Sequence, residues 1–394
     1  MGTEVVQGRR GSRRRIIIVQ PHFAQGGAEA VAAWAIQAVK ELAPVTVLTY
    51  DPISHVELNH RFGTKLSPGD FEVVKCHFPF SRKEQTRKWT LLKLHWLMRQ
   101  CKAWPEKDVL FFSTSSEMDF GQPGVQYIDF PLFWEYVGRT PRLFLPERWY
   151  HRPTPLRRAY LRLGRLVSRF SLEGLRANVT LTVSNWTGEI VHKVYEVKTK
   201  TIYPPVTMDF PEVPLTKREL GFVCLGRIVP AKRILEIIEI LRNVRECGFN
   251  VHLHIIGPDD DPNYAYRVRT EQRKHSSWVF LEGPLERMQI VQILSKHRFG
   301  IHGMFYEHFG IAIAEMAKAG CIVFLPSMGG QVEIVDHDEF VVYEDDSEAV
   351  EKIVAVLKDE QLQLHLSEKM KFYGSRFSSE RFVQEIREMV GPLL

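Results

Sequence analysis

Two cations flank a short turn in the second half of the chain. Arg227 follows Gly226 at the end of an apolar run, and Lys232 stands five positions later, where a helical pattern begins. Two fixed cations at one helix entrance would neutralise a diphosphate and stabilise it as a leaving group. Cations are unfavourable at the amino end of a helix dipole, so their position indicates a compensating anion. A solvated pair of surface charges is the alternative interpretation.

Two carboxylates stand eight positions apart in the segment 307–315. A helix that starts near Gly310 leaves Glu307 in the preceding loop and places Glu315 more than one turn inside the helix. One carboxylate can then bind sugar hydroxyls while the other accepts hydrogen bonds from a ribose diol, with free helix amides facing phosphate between them. The apolar neighbours of Glu315 predict a buried helix, in which an unpaired carboxylate would be costly.

Two glycine pairs complete the set of candidate binding segments. Gly26-Gly27 precedes an alanine-rich helical pattern at 28–42, and Gly329-Gly330 follows a predicted strand. A glycine pair lets the backbone approach a bound group, and the next helix offers unpaired amides to an anion. A tight turn explains Gly26-Gly27 taken alone equally well. The joint placement of all four segments at strand ends and helix starts, where open α/β sheets bind ligands, carries the argument.

Short buried strands alternate with helical patterns in both halves of the chain. The predicted strands are 15–20, 45–50, 109–112, 125–130 and 179–184 in the first half and 222–225, 251–256, 279–282 and 299–302 in the second. This alternation predicts parallel sheets covered on both faces. The fold class is therefore predicted to be α/β, with two Rossmann-like, doubly wound domains.

The domain boundary is predicted at Tyr203-Pro204-Pro205, because 394 residues are too many for one core and consecutive prolines favour an extended connector. Residues 1–15 form a basic tail, 16–205 an N-terminal domain and 206–375 a C-terminal domain. The last helix, predicted at 379–390, carries an apolar stripe that needs a docking surface.

Several classes of site are not expected from the sequence. No apolar run approaches the roughly 18 to 20 residues of a membrane-spanning helix, so the chain is expected in the cytoplasm.

The five cysteines are scattered and lack the spacing of metal ligands. Asp259-Asp260-Asp261 lies between Pro258 and Pro262, which favours a solvated turn over a metal site. Two basic runs, at 82–102 and 148–176, lack a nucleic-acid recognition motif, so no nucleic acid is expected as a partner.

Taken together, these segments resemble the retaining glycosyltransferases of family 4, which have the GT-B fold of two Rossmann-like domains facing a central cleft. The resemblance covers nearly the whole chain. It rests on residues 26–29, 183–187, 203–206, Gly226-Arg227 with Lys232, 307–315 and Gly329-Gly330.

The resemblance implies that a hexose, of mannose or glucose type, moves from a UDP- or GDP-sugar on the second domain to a lipid-linked or polysaccharide acceptor on the first. No metal or other cofactor is implied. In catalysis and donor binding, the resemblance implies that Arg227 and Lys232 bind the diphosphate, that Glu315 binds the ribose and that Glu307 contacts the transferred sugar. The backbone of Phe309, Gly310 and Ile311 would contact phosphate or sugar. The loop with Gly26 and Gly27 would close over the donor. The last helix, within 376–394, returns to the first domain.

The acceptor side departs from the family pattern. Related members with lipid-linked acceptors carry a histidine before an aromatic residue and proline, where this chain has Asp129 before Phe130-Pro131. Asp129 is therefore one candidate for the group that faces the reacting centre. His22, near the first glycine pair, is the other, although a lone histidine is more often structural.

A basic helix is predicted around 156–170, with an apolar face formed by Leu156, Tyr160, Leu163, Val167 and Phe170. The opposite face carries the arginines Arg158, Arg162, Arg165 and Arg169. If the apolar face packs on the first domain, these arginines can bind anionic lipid headgroups, a lipid diphosphate or an acidic glycan, which would place the protein peripherally on the inner face of a membrane. A merely solvated face is an equally good interpretation.

Three further functions use the same scaffold. A catalytically idle protein that binds sugars or polyanions would bind nucleotide or glycan without turnover. A nucleotide-sugar epimerase would release no glycoside, and a phosphorylase would require inorganic phosphate. All three remain alternatives to the glycosyltransferase at this point.

Overall fold

The computed structural model describes residues 14–24, 26–79, 89–137 and 154–394. Most of the predicted basic tail, up to residue 13, lies outside these ranges. The chain divides into two compact units. The first contains the chain up to Thr182 together with Ile190–Ile202 and Phe382–Leu394, and the second contains Val183–Glu189 and Tyr203–Arg381.

The first unit is built on a parallel sheet of seven strands in the order β3-β2-β1-β4-β5-β6-β7. The strands are β1 (Arg15–Val19), β2 (Val45–Thr49), β3 (Glu72–Lys75), β4 (Val109–Ser113), β5 (Val125–Ile128), β6 (Val179–Thr182) and β7 (Thr199–Thr201). The helices are α1 (Gly27–Val39), α2 (His55–Phe62), α3 (Thr90–Lys102), α4 (Trp134–Val137), α5 (Pro155–Ser168), α6 (Leu172–Arg176) and, from Ile190 onward, α7 (Asn185–Tyr195), whose first residues belong to the second unit. Residues 16–19 of β1 are completely buried because β2 and β4 flank this strand in the middle of the sheet.

The second unit is built on a parallel sheet of six strands in the order β10-β9-β8-β11-β12-β13. The strands are β8 (Glu219–Leu225), β9 (His252–Ile256), β10 (Val279–Gly283), β11 (His297–Ile301), β12 (Ile322–Pro326) and β13 (Val342–Tyr343). The helices are α8 (Ile234–Glu246), α9 (Pro262–Lys274), α10 (Arg287–Lys296), α11 (Ile311–Lys318), α12 (Asp346–Lys358), α13 (Glu360–Ser375) and α14 (Ser379–Val390). Phe222 and Phe299 stack in the core with ring centroids 4.8 Å apart. The predicted α/β class with two Rossmann-like sheets is confirmed.

The end of α14 belongs to the first unit. Phe382, Ile386 and Val390 recur at helical spacing and are fully buried. The ring of Phe382 lies 6.4 Å from that of Tyr127 in β5, and Arg387 donates a hydrogen bond of 2.8 Å to the carbonyl of Ala38. The apolar stripe of the last helix therefore completes the core of the first unit.

The buried face of α5 agrees only in part with the one the sequence predicted, since Tyr160, Val167 and the following Phe170 are half-buried or buried but two leucines are not. Leu156 and Leu163 were assigned to the packed face, but they are 81% and 44% exposed. The helix instead packs on α3 through Gly164, where an added Cβ would lie only 2.4 Å from His95 Cδ2. This close approach at a glycine turns the helix so that Tyr160 and Ser168 face inward while the leucines face outward. The apolar periodicity was therefore misleading for Leu156 and Leu163.

The arginines of α5 face the solvent, as the sequence predicted. All four, Arg158, Arg162, Arg165 and Arg169, are exposed. They share the solvent-facing surface of α5 with the exposed side chains Leu156, Leu163 and Leu166. Within the part of the chain that the structure describes, no helix is both long enough and apolar enough to span a membrane.

Candidate functional site

Three loops of the second unit leave the carboxyl edge of its sheet, since all six strands are parallel. The loop after β8 carries Arg227 and Lys232, the loop after β11 carries Glu307, and the loop after β12 carries Gly329. The last two loops are joined through their backbones, because the amide of Gly330 donates a hydrogen bond of 2.8 Å to the carbonyl of Glu307. Crevices at this edge are where open α/β sheets bind ligands.

Lys232 and Glu307 form an ion pair at this edge. The ammonium of Lys232 donates a hydrogen bond to Oε2 of Glu307, and Nε2 of His302 lies 3.4 Å from the same oxygen. The side chains of Lys232 and Glu307 are only 18% and 16% exposed. Burial works to raise the pKa of Glu307, but Lys232 and His302 hold that pKa well below its usual range. The site therefore holds an ionised carboxylate next to a fixed cation.

Arg227 comes from the same turn but has a different partner. Its Nη1 lies 2.8 Å from Oδ2 of Asp260, and its side chain is 49% exposed. The predicted pair of cations is thus held by two separate carboxylates, Glu307 for Lys232 and Asp260 for Arg227. A diphosphate that binds both cations must compete with both carboxylates.

The helical pattern at Lys232 predicts a helix from Ala231 onward, and this start is wrong. Pro230–Lys232 forms one turn of 3-10 helix, and Arg233 has a left-handed backbone with φ 51°. That residue interrupts the helical backbone, so α8 begins only at Ile234. Lys232 consequently precedes the helix and can reach the loop that carries Glu307. Arg233 in turn forms two hydrogen bonds, of 3.0 and 2.8 Å, with the carboxylate of Asp346.

Glu315 lies in α11, which begins at Ile311 directly after Gly310, as the sequence predicted. The side chain is half-buried, and burial raises the pKa of Glu315 to about 7, opposed by the charges of Arg287 and Lys318. Its carboxyl group makes no hydrogen bond or ion pair with any residue that the structure describes. A half-buried carboxyl group without a protein partner is suited to accept hydrogen bonds from a ligand.

The side chain of Phe309 has a structural role. It is 3% exposed, and its ring lies 5.6 Å from that of Tyr203 and 5.2 Å from that of Phe377. Phe309 can therefore offer a ligand only its backbone, as the sequence interpretation proposed. Gly310 and Ile311 follow at the amino end of α11, where the first amides of a helix have no partner within the helix.

Glu333 connects the start of α7 with Tyr203 in the second unit, and sequence reasoning did not single it out for that role. Its carboxylate accepts hydrogen bonds from the amides of Asn185, at 3.0 Å, and Trp186, at 2.8 Å. It also accepts one of 2.8 Å from the hydroxyl of Tyr203. Glu333 follows Gly330 in the 3-10 turn, so this glycine segment holds the start of α7 and Tyr203 as well as bordering the site. The partners lie more than 100 positions away in sequence, which left no local signal.

The first glycine pair lies at the amino end of α1. Gly26 has an extended backbone with φ −165°, and Gly27 begins the helix. The carboxylate of Glu29 folds back toward this helix end, since a Cβ on Gly26 would lie 2.4 Å from Glu29 Oε2. The end of α1 thus already has an acidic side chain near its first amides.

His22 belongs to a small polar cluster at the carboxyl edge of the first sheet. Its Nδ1 lies 3.1 Å from Oδ1 of Asp51, and its Nε2 lies 3.4 Å from Nζ of Lys93. Oδ2 of Asp51 also accepts a hydrogen bond of 2.8 Å from the amide of Phe23. Burial tends to raise the pKa of Asp51, but these two hydrogen bonds lower it overall. His22 is therefore held by a carboxylate rather than standing alone.

Asp129 follows β5 at the same edge of the first sheet. His22 follows β1, and β4 lies between these two strands in the sheet order. Neighbouring strands are about 4.8 Å apart, so the two acceptor-side candidates leave the sheet roughly 10 Å from each other. Lys93 and Asp51 were not recognised from the sequence as parts of this cluster.

Comparison with known proteins identifies the second unit. Residues 207–372 match the family model of the glycosyl transferases group 1, so this part of the chain is a domain of that group. Over 239 residues the chain is 24% identical to the GDP-Man:Man(3)GlcNAc(2)-PP-Dol alpha-1,2-mannosyltransferase of Mus musculus, an alignment that covers 54% of this chain and 48% of the relative. The chain thus spans about half the length of the curated relatives it matches.

Two solved structures support the fold. The Anabaena protein HepE in complex with UDP and glucose is 15% identical and has a TM-score of 0.66, covering 96% of this chain and 99% of that protein. WaaG, a glycosyltransferase involved in lipopolysaccharide biosynthesis, is 14% identical with a TM-score of 0.67, covering 95% of this chain and 99% of that protein. The predicted GT-B fold is confirmed by these neighbours.

Proposed function

We propose that this protein is a retaining glycosyltransferase that moves a hexose from a nucleotide-diphosphate sugar to a lipid-linked or polysaccharide acceptor. The observation that carries the proposal is the arrangement of Lys232, Glu307 and Glu315 in the loops and helix at the carboxyl edge of the second sheet. It combines a fixed cation, an ionised carboxylate and, in Glu315, a carboxyl group that has no hydrogen-bond or ion-pair partner among the described residues. These residues lie inside the segment that matches the glycosyl transferases group 1.

The donor would be bound mainly by charge. Lys232 and Arg227 would stabilise the diphosphate as negative charge develops on it during cleavage of the glycosidic bond, which is the largest contribution in many such reactions. Glu315 would accept hydrogen bonds from the ribose hydroxyls, and Glu307 would contact the transferred sugar. With two side-chain cations for the diphosphate, the proposed reaction needs no metal ion or other cofactor.

The first donor to test is GDP-mannose, because the curated relatives are named as mannosyltransferases that use it. UDP-glucose is the second, since the neighbouring Anabaena protein was solved with UDP and glucose. The names of the mannosyltransferase relatives also give their acceptor, in which a glycan is joined to a lipid through a diphosphate. We propose an acceptor of that chemical class for this chain.

The acceptor would contact the first unit. His22, held by Asp51 and close to Lys93, is one group proposed to face the attacking hydroxyl, and Asp129 is the other. The exposed arginines of α5, together with Leu156 and Leu166, would bind an anionic membrane surface that presents the acceptor. This places the proposed enzyme at the inner face of a membrane, as a peripheral protein.

Transfer from radiolabelled donors tests the proposal. The purified chain is incubated with GDP-mannose or UDP-glucose and a short-chain lipid-diphosphate glycan, and labelled lipid is extracted. We expect transfer from one of the two donors, reduced about 10- to 100-fold in Glu315→Gln, because a pair of charge-assisted hydrogen bonds is lost. Glu351→Gln, which changes an exposed glutamate in α12, is the matched control and should keep full activity.

The same assay separates the alternative functions. Nucleotide binding without turnover of any donor would identify an idle binding protein and refute the transferase. Conversion of the donor into its epimer without glycoside formation would identify an epimerase. Glycoside synthesis that Glu315→Gln leaves unchanged would refute the assigned site.

A further inference from the structure

Three histidines converge at the amino edge of the second sheet, opposite the edge that carries Glu307. His252 and His254 are two positions apart in β9, so their side chains point to the same face, and His297 is the first residue of β11. One nitrogen from each imidazole lies within 4.8 Å of the other two. None of these residues takes part in the proposed transfer reaction.

A glycine makes this convergence possible. β8 lies between β9 and β11, so the two strands that carry the histidines are roughly 10 Å apart. The residue of β8 that pairs with His252 is Gly221, and an added Cβ there would lie 2.3 Å from Nε2 of His252 and 2.4 Å from Cδ2 of His297. The imidazoles therefore meet above the backbone of Gly221, in space that any other side chain would fill.

The nitrogen atoms already have the separation that a tetrahedral metal ion requires. Nε2 of His252 lies 3.1 Å from Nε2 of His297. Zinc binds imidazole nitrogen at about 2.0–2.1 Å, and two ligands of a tetrahedral ion are then about 3.3 Å apart. A single hydrogen bond between two neutral imidazoles is the competing explanation of this distance, and it does not account for the His254 nitrogen that lies within 4.8 Å of both.

The remaining ring nitrogens are arranged as in metal-binding histidines. Nδ1 of His297 donates to the carbonyl of Ile293 at 2.7 Å, and Nδ1 of His254 donates to Oε1 of Glu282 at 2.7 Å. In a neutral imidazole, a proton on Nδ1 leaves Nε2 with its lone pair available. Carbonyl and carboxylate partners of this kind fix the tautomer and the orientation of histidines that bind metal ions.

A carboxylate oxygen stands beside the same nitrogens. Oε2 of Glu219 lies 3.5 Å from Nε2 of His252 and 3.7 Å from Nε2 of His297. The other oxygen of Glu219 is held by the ammonium of Lys296 at 2.9 Å. Three imidazole nitrogens and one carboxylate oxygen form a ligand set that zinc accepts.

We propose that His252, His254 and His297, with Glu219 as the fourth ligand, bind one zinc-class divalent ion. The ion would connect β9 to β11 across β8 and so stabilise the second unit. It lies at the edge of the sheet away from Lys232, so it is independent of the transfer reaction, for which no metal is proposed.

Metal titration of the whole chain tests this inference. The purified chain is treated with a chelator, dialysed, and titrated with ZnCl₂ and separately with CoCl₂. We expect one zinc ion per chain by elemental analysis and calorimetry, and a visible Co²⁺ spectrum with the strong bands of tetrahedral coordination. His252→Ala and His297→Ala should each weaken zinc binding by at least 100-fold, whereas His365→Ala, which removes an exposed histidine of α13, should leave it unchanged.

Loss of an inward-facing histidine can itself unfold a domain, so a milder variant is measured beside these. Glu282→Gln keeps all three imidazoles and removes only the carboxylate behind His254, and it should weaken zinc binding about 10- to 100-fold with unchanged circular dichroism. The proposal is overturned by less than one bound zinc per chain at millimolar ZnCl₂. It is equally overturned by an octahedral Co²⁺ spectrum, or by zinc affinity that stays the same in His252→Ala and His297→Ala.

Discussion

Arg227 and Asp260 form an ion pair of 2.8 Å between the loops that follow β8 and β9. Arg227 is one of the two cations proposed to bind the donor diphosphate, so Asp260 competes with the substrate for it. The side chains are 49% and 24% exposed, and exposed pairs contribute only about 0–1 kcal/mol. The competition is therefore weak enough for a diphosphate to overcome.

Replacing Asp260 with Asn should strengthen nucleotide binding. Removal of the competing charge frees Arg227, and we expect affinity for GDP or UDP to rise about two- to fivefold in calorimetry. Asp259→Asn is the matched control, because the neighbouring carboxylate pairs with Arg269 instead. Equal effects of the two substitutions would show that general charge reduction, and not release of Arg227, changes the affinity.

The stability of the chain should depend on pH through Glu315. The pKa of Glu315 is raised from 4.5 to about 7 in the folded chain. The folded state thus binds more protons than the unfolded state between these values, and stability falls as the pH rises from about 4.5 through 7. Glu315→Gln removes this contribution. The free energy of unfolding of the variant, relative to that of the native chain, should therefore rise by on the order of 2 kcal/mol from pH 5 to pH 8, measured by urea denaturation. A difference that does not change with pH would contradict the environment assigned to Glu315.

Much of the fold could be predicted because the apolar residues of buried helices and strands recur with the period of the element. The helix at Ser379–Val390 has the predicted bounds, since Phe382, Ile386 and Val390 mark one face. β3 was missed because all four of its residues are exposed, so nothing distinguishes Glu72–Lys75 from a loop. Leu156 and Leu163 were assigned wrongly to the packed face of α5, because the contact at Gly164 sets which side of the helix is buried.

The residues of the candidate site could be recognised only where a local sequence pattern marks them. Arg227, Lys232, Glu307 and Glu315 could be recognised from glycine turns and helix starts. The partners of His22 could not, because Asp51 and Lys93 are 29 and 71 positions away. The histidines around Gly221 were missed for the same reason: only the strand order of the sheet brings β9 and β11 to the two sides of β8.

The pairing of Lys232 with Glu307 predicts different effects on stability and on activity. Lys232→Met leaves a mostly buried carboxylate without its cation and should lower the free energy of unfolding by about 3 kcal/mol. The double variant Lys232→Met with Glu307→Gln should recover most of that stability, measured by urea denaturation, because no unpaired charge remains. Its transfer activity should stay as low as in the single variant. Lys358→Met, on the exposed end of α12, is the control for loss of a lysine. Recovered activity in the double variant would remove Lys232 from the proposed mechanism.

The arginines of α5 predict binding to anionic membranes. Reversing two of them in Arg158→Glu with Arg162→Glu should weaken binding to phosphatidylglycerol vesicles at least tenfold in sedimentation assays, because each basic side chain near a charged surface contributes about 1 kcal/mol. The matched control reverses the charge of Arg273, which is exposed on α9 of the second unit. Unchanged vesicle binding in the double variant would leave α5 as a solvated surface.

Gly329 should be needed to place the loop that carries Glu307. Its backbone is left-handed, with φ 114°, and an added Cβ would lie 2.6 Å from the carbonyl oxygen of Glu307. Gly329→Ala therefore combines backbone strain of about 1 kcal/mol with displacement of a loop of the proposed donor site. Gly248→Ala is the matched control, because Gly248 has φ 96° with no atom within 4 Å of the added Cβ.

We expect Gly248→Ala to lose only the stability that backbone strain costs. This loss should appear as a small decrease in the midpoint of urea denaturation, with full transfer activity. Gly329→Ala should lose at least 2 kcal/mol of stability and most of the activity, since the strained backbone and the displaced carbonyl act together. If the two variants behave alike, the contact between Gly329 and Glu307 does not hold the loop, and Glu307 must be positioned by Lys232 and His302 alone.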